Sequence, residues 1–273
     1  MALLTVNHEK CVKCGACMDV CPLKIIRPST GGEPILAAGE ETSCINCGHC
    51  VAVCPASALS HINFSVNDCP EIREELRLSP EETDQFMKSR RSIRVFLEKK
   101  VEKSAMNAII KTACYAPSGH NLQPVNWKII YEKKDVENMA KMVLEWMMHL
   151  LERKPEMAKS FGFERLISFY NAGTDLILRD APHIITTYAG KDDRVAPHSC
   201  IIALSYLELA AYSRGLGVCW AGFLDMALAY WPPLREFMDL PAGYVTYGSM
   251  MIGYPKYRYK RIPARKYPEI SWK

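Results

Sequence analysis

The chain has 273 residues, 49% hydrophobic and 23% charged; these proportions fit about two packed domains and exclude a disordered chain. The apolar 201–231 region is interrupted by Glu208 and Arg214, so no stretch reaches the roughly 18 residues of a membrane span. The net charge is +4, yet residues 1–70 carry four Lys/Arg against six Asp/Glu. The basic excess therefore belongs to 71–273, where it suits nucleic acid, a membrane surface or a phosphate-bearing cofactor equally. Met1–Lys10 has neither a basic start nor a long apolar run, which argues against a secretory signal. Twelve cysteines in such a chain point to metal or redox chemistry in the cytoplasm and away from a disulfide scaffold.

Eight of those cysteines lie between positions 11 and 54, in two identical patterns offset by 33 residues. The first is Cys11-Val-Lys-Cys14-Gly-Ala-Cys17-Met-Asp-Val-Cys21-Pro22. The second is Cys44-Ile-Asn-Cys47-Gly-His-Cys50-Val-Ala-Val-Cys54-Pro55. The duplication predicts two packed halves of one small module, residues 1–65. Three thiolates at successive short spacings wrap one corner of a cubane cluster, and the fourth reaches the other cluster. On this reading Cys11, Cys14, Cys17 and Cys54 hold one 4Fe–4S cluster; Cys44, Cys47, Cys50 and Cys21 hold a second. Gly15 and Gly48 sit where the backbone turns around each cluster. The alternative is zinc, but zinc takes four ligands in two separated pairs, whereas each half here offers four within eleven residues. The segment from about residue 3 to 63 resembles bacterial two-cluster ferredoxins, with a lengthened connection between Cys21 and Cys44.

Residues 66–79 read as a charged linker without apolar periodicity. Ser79-Pro80-Glu81-Glu82 then gives a helix start, with Ser at N-cap, Pro at the first position and Glu at the third. A second domain, 80–273, follows. Met106, Ile109, Ile110 and Ala113 repeat at helical spacing within 101–115, and 127–131 alternates as a strand. A long Met-rich helix is expected over 135–153, a strand over 183–188, an apolar helix over 200–213 closed by Gly215, and a late strand over 244–252. Long helices with few strands predict an α+β class.

Two basic runs frame this domain: Lys88-Ser89-Arg90-Arg91-Ser92-Ile93-Arg94, and Lys256 to Lys266 interleaved with Tyr257, Tyr259 and Tyr267. Taken alone, the first is a solvated helix end or a nucleic-acid patch, and the second equally a single-strand platform. Their order alongside other motifs decides differently. Arg90-Arg91-Ser92-Ile93-Arg94, then Ala116-Pro117-Ser118-Gly119-His120-Asn121-Leu122-Gln123-Pro124, Gly215-Leu216-Gly217 through Gly222-Phe223, and Gly253-Tyr254-Pro255 with Lys260-Arg261-Ile262-Pro263 resemble the nitroreductase family. That resemblance implies an α+β homodimer with FMN in a groove at the subunit interface.

It further implies that Arg90, Arg91, Ser92 and Arg94 hold the FMN phosphate and ribityl chain, with Lys260 and Arg261 closing over them. Pro117, Ser118 and Asn121 line the flavin from the partner subunit. Ala221 and Gly222 lie beside the ring, Ala221 standing where many members carry an acid. No catalytic acid or base is required, because the flavin carries the chemistry. His120 and Cys219 are more simply loop and packing residues, as are the methionines between 138 and 148. The resulting expectation is a cytoplasmic iron–sulfur flavoprotein in which two 4Fe–4S clusters and FMN exchange electrons and reduce a small organic acceptor such as a nitroaromatic or quinone. Direct reduction of FMN by NAD(P)H, and a carrier role towards a partner redox protein, are the alternatives; neither nucleic acid nor a membrane is expected as a partner.

Overall fold

The computed structural model describes residues 2–273. The chain forms two compact units, Met1–Arg77 with His120–Leu122, and Leu78–Gly119 with Gln123–Lys273.

The first unit carries the duplication in its backbone. Strand β1 (Leu4–Val6) pairs antiparallel with β4 (Leu59–His61), and β2 (Ile26–Pro28) with β3 (Pro34–Leu36). Two single-turn helices, α1 (Ala16–Asp19) and α2 (His49–Ala52), stand at equivalent places in the repeats. Each follows a glycine in the left-handed region, Gly15 at φ 80° and Gly48 at φ 73°, a conformation that a Cβ penalises. At Gly48 a Cβ would also press to 3.2 Å from the Phe64 ring. The buried apolar set is small: Cys17, Cys21, Ile25, Ile26, Val51, Ala58 and Leu59.

The second unit opens at the expected cap. Glu82 N donates to Ser79 Oγ (3.2 Å) and Ser79 N to Glu82 Oε2 (2.9 Å), starting α3 (Pro80–Ser89). Helix α4 (Lys103–Ala113) and strand β5 (Asn126–Ile130) follow. Next come α5 (Lys133–Arg153), α6 (Pro155–Ser160), α7 (Phe163–Asn171), β6 (His183–Gly190) and α8 (Ala196–Ser213). The chain continues through β7 (Gly217–Trp220), α9 (Gly222–Tyr230), α10 (Pro232–Met238) and β8 (Tyr244–Gly253). The four strands make one antiparallel sheet in the order β5-β6-β8-β7.

Alternation along the central strands divides the core between the two faces of the sheet. Ile184, Met251 and Cys219 join Trp146 and Phe163 of α5 and α7 on one face. Ile185, Met250, Ile252 and Val218 join Met106, Ile109, Leu204 and Leu207 of α4 and α8 on the other. Where β8 passes α8 it bulges opposite Thr187 and Tyr188. Gly248 is required there, with φ at 153° and room for no Cβ, which would come within 2.8 Å of Leu204.

Five elements of the second unit went unanticipated: α6, α7, β7, α9 and α10. All are short, and β7 is buried along most of its length, so it shows no polar alternation by which a strand is read.

Candidate functional site

A large cavity of the second unit is built on a strap that leaves α3. Ile93 N donates to Val218 O (2.9 Å), Leu97 N to Tyr254 O (2.9 Å), and Lys256 N to Val95 O (3.1 Å). Residues 93–97 are thus laid against β7 and the end of β8. Gly217 permits the approach, since a Cβ there would lie 2.8 Å from Ile93 Cβ and 2.9 Å from Pro255 Cγ.

Beside the strap opens a cavity of about 810 Å³, within the range of small-molecule sites. Ile93, Leu97, Leu216, Val218 and Ile262 give it apolar walls, and Tyr254, Tyr257 and Tyr259 supply flat aromatic ones. Arg90, Arg91, Arg258, Lys260 and Arg261 bring five positive charges to it. The Arg91 guanidinium lies 5.9 Å from the Tyr259 ring centre. Apolar and aromatic surface with a cluster of forked cationic donors suits a planar ligand carrying a phosphate.

One acid opposes this charge. Glu208 and Tyr212 project from α8 one turn apart. Arg90 Nη1 donates to Glu208 Oε1 at 2.8 Å, and the Ser89 and Tyr212 hydroxyls meet at 2.6 Å. The Glu208 side chain is only 12% exposed. Burial raises its pKa, and Arg90 works against that rise. Glu208, Tyr212 and Ser89 were not among the candidate residues. The signal available was that Glu208 is the one formal charge within the apolar α8.

The remaining candidates are distributed as follows. Ser92 is partly buried and Arg94 exposed on the strap, and neither lines the large cavity. Pro117 and Ser118 line a separate cavity of about 150 Å³ with Cys114, Trp127 and Ser199, and Ser118 Oγ accepts from Gln123 N (3.0 Å). Asn121 belongs to the first unit, where its side-chain amide donates to Ile45 O (3.3 Å) and Asn46 O (2.9 Å). Ala221 is buried and its N–H is taken by Ser249 O (2.9 Å), whereas Gly222 is exposed at the first position of α9. One turn on, burial pushes the Asp225 carboxyl up to about 6 against the pull of Ser249. His120 is exposed. Cys219 is buried and its thiol pKa is raised by burial.

In the first unit the eight repeated cysteines fall into two small cavities. Cys11, Cys14, Cys17 and Cys54 line one; Cys21, Cys44, Cys47 and Cys50 line the other. The thiols surround a volume instead of converging on a point: among the described residues no three or more His, Cys, Asp or Glu side chains are grouped to hold a single metal ion. Burial raises the Cys17 thiol and pushes Cys50 up to about 11, which disfavours the thiolate at both. Ala58 N donates to Cys54 Sγ (3.2 Å), and Cys44 Sγ lies 3.6 Å from His61 Nε2.

Comparison with known proteins accords with this division. Residues 87–254 match the model of the nitroreductase family, well over half of the chain. The chain belongs to the nitroreductase family. Residues 10–59 match a 4Fe-4S dicluster domain, and the protein is a nitroreductase-family oxidoreductase with an N-terminal iron–sulfur domain. It is 23% identical over 185 residues to an iodotyrosine deiodinase of Thermotoga neapolitana, covering 66% of this chain and 90% of that one. A nitroreductase with bound FMN from Desulfitobacterium hafniense superposes with a TM-score of 0.57 at 22% identity, over 71% of this chain and 99% of the other. A BluB-like flavoprotein from Clostridium difficile gives 0.56 at 19%, over 68% and 94%. The basic residues Arg258, Lys260 and Arg261 lie beyond the matched span, so this part of the cavity wall comes from the segment that follows it. Among the described residues no helix is long and apolar enough to cross a membrane.

Proposed function

We propose that the protein is an iron–sulfur flavoprotein, in which two 4Fe–4S clusters and FMN together deliver electrons to a small organic acceptor such as a nitroaromatic or quinone. The observation that carries this reading is the cavity of about 810 Å³, whose apolar and aromatic walls meet five cationic side chains. FMN, when bound, supplies two-electron hydride chemistry that no protein side chain provides. Solved nitroreductases of similar fold with bound FMN support the same cofactor.

Arg90, Arg91, Lys260 and Arg261 hold the phosphate, and Glu208 orients Arg90 through their 2.8 Å contact. Ser92 and Arg94 extend that donor set along the strap. Pro117 and Ser118 close over the flavin from a partner subunit, with the amide of Asn121 committed to the Ile45 and Asn46 carbonyls. Ala221 and Gly222 flank the ring, Gly222 offering the backbone N–H. The protein is accordingly a homodimer whose cofactor site draws on both copies.

The partition of the cysteines between two cavities supports crossed ligation, with Cys54 serving the first cluster and Cys21 the second. Anaerobically purified protein should approach eight iron and one FMN per 30.9 kDa chain. Stopped-flow mixing with reduced ferredoxin should bleach the clusters before the flavin, and an added nitroaromatic or quinone should then reoxidise both. Flavin bleaching by NADH or NADPH ahead of any cluster change rules out entry through the clusters. Turnover with redox proteins alone, and with no small acceptor, makes the protein a carrier instead.

A further inference from the structure

Resting on the cluster reading above and deepening it, we propose that His61 donates a hydrogen bond to Cys44 and so gives the two clusters unequal reduction potentials. His61 ends β4, 6% exposed, with its ring stacked on Phe64 at 4.7 Å and 17°. Asn63 N donates to Nδ1 at 3.1 Å. An Nδ1 that accepts carries no proton, so the proton of the neutral ring sits on Nε2. Nε2 lies 3.6 Å from Cys44 Sγ, which makes the contact an N–H···S hydrogen bond to a ligand thiolate.

The duplication supplies the control. Thirty-three residues before His61 stands Pro28, the last residue of β2 as His61 is the last of β4. A proline side chain has no donor, so the repeat of Cys11 lacks what the repeat of Cys44 has. When a cluster gains one electron, negative charge accumulates on its sulfurs, and a fixed donor stabilises the reduced form more than the oxidised one. The proton stays on Nε2 and no bond breaks. The other cluster keeps only a backbone donor, Ala58 N to Cys54 Sγ (3.2 Å), so the side-chain donor of His61 makes the cluster of Cys44, Cys47, Cys50 and Cys21 the more easily reduced, and a first electron settles there.

The test is an anaerobic redox titration of the full holoprotein followed by EPR. Wild type should show two separated one-electron steps. His61→Phe, which keeps the packing against Phe64, should lower the upper step by about tenfold in its reduction equilibrium, ~59 mV for one electron. His61→Gln, which retains an N–H donor, should restore most of the shift, and the lower step should not move in either variant. Wild type labelled with ¹⁵N in its histidine rings adds a readout that needs no folded variant: pulsed EPR should detect nitrogen coupling on the upper-potential cluster. Full iron content with both steps unmoved, both moved alike, or no ring coupling overturns the role of His61. Iron content and EPR signals unaltered by Cys44→Ser overturn the ligand reading, and the inference falls with it.

Discussion

The two units are held together by different means. The second packs a sheet between two layers of helices, with fully buried side chains as large as Trp146, Phe163, Met139 and Leu204. The first has strands of three residues, helices of one turn, and a core in which cysteines take the place of aliphatic side chains. A module of that size lacks the buried surface to fold on apolar contacts alone. Clusters held by its cysteines would therefore be structural as well as redox-active, and their binding would also be folding free energy. The nitroreductase domain, in contrast, should tolerate the loss of its cofactor.

Iron removal is the strongest way to break that comparison. Anaerobic chelation should abolish amide-exchange protection over residues 4–61 while leaving strands 183–190 and 244–253 protected; collapse of both regions together would show one cooperative unit. Cys21→Ser should abolish the EPR signal of the Cys44 cluster in preference to that of Cys11. Within the second unit, Trp146→Ala should cost about 3–5 kcal/mol in urea unfolding with iron content unchanged. Arg90→Ala should weaken FMN binding roughly 10- to 150-fold, as a charge-assisted contact of about 1.5–3 kcal/mol implies; fluorescence titration measures it, and Ser92→Ala should cost less. Ser79→Ala removes the cap of α3 and should cost about 1 kcal/mol.

The smallest expected effect is confined to acid. His183 is fully buried; Val101 N donates to its Nε2 (2.9 Å), while its Nδ1–H donates to Tyr131 O (2.6 Å). Burial lowers its pKa below the ordinary 6.5, so the unfolded chain binds the proton first. Stability of the second unit should hold above about pH 6.5 and decline as pH falls below it. Urea midpoints measured across that window should flatten in His183→Gln, even though the variant starts lower.

Much of this architecture could be read from the sequence because its signals are local. The cysteine repeat names its own residues, and the Ser79 to Glu82 spacing closes its cap within four residues. The helix expected over 135–153 appears as Lys133–Arg153 because a long amphipathic run displays its period, and the strand over 244–252 appears as Tyr244–Gly253. What could not be read depends on distant partners. Glu208 is visible as a lone acid in an apolar helix, but its meaning comes from Arg90, 118 residues earlier. His61 looks like any strand-end histidine until Asn63 fixes its tautomer. Helix α9 is apolar apart from Asp225, and α10, at seven residues, is too short to display a period.

The discontinuity of the first unit has a consequence in time. Its final piece, His120–Leu122, is translated only after Arg77. At roughly 5–20 residues per second, the intervening ~45 residues take about 2–9 s to emerge. Throughout that interval all eight cysteines are out of the ribosome, while Asn121 is not yet available to clasp the Ile45 and Asn46 carbonyls. Iron delivered in that interval would meet the loop carrying Cys44 and Cys47 before Asn121 can tie it, so the order of synthesis itself would give metal delivery a window ahead of that contact.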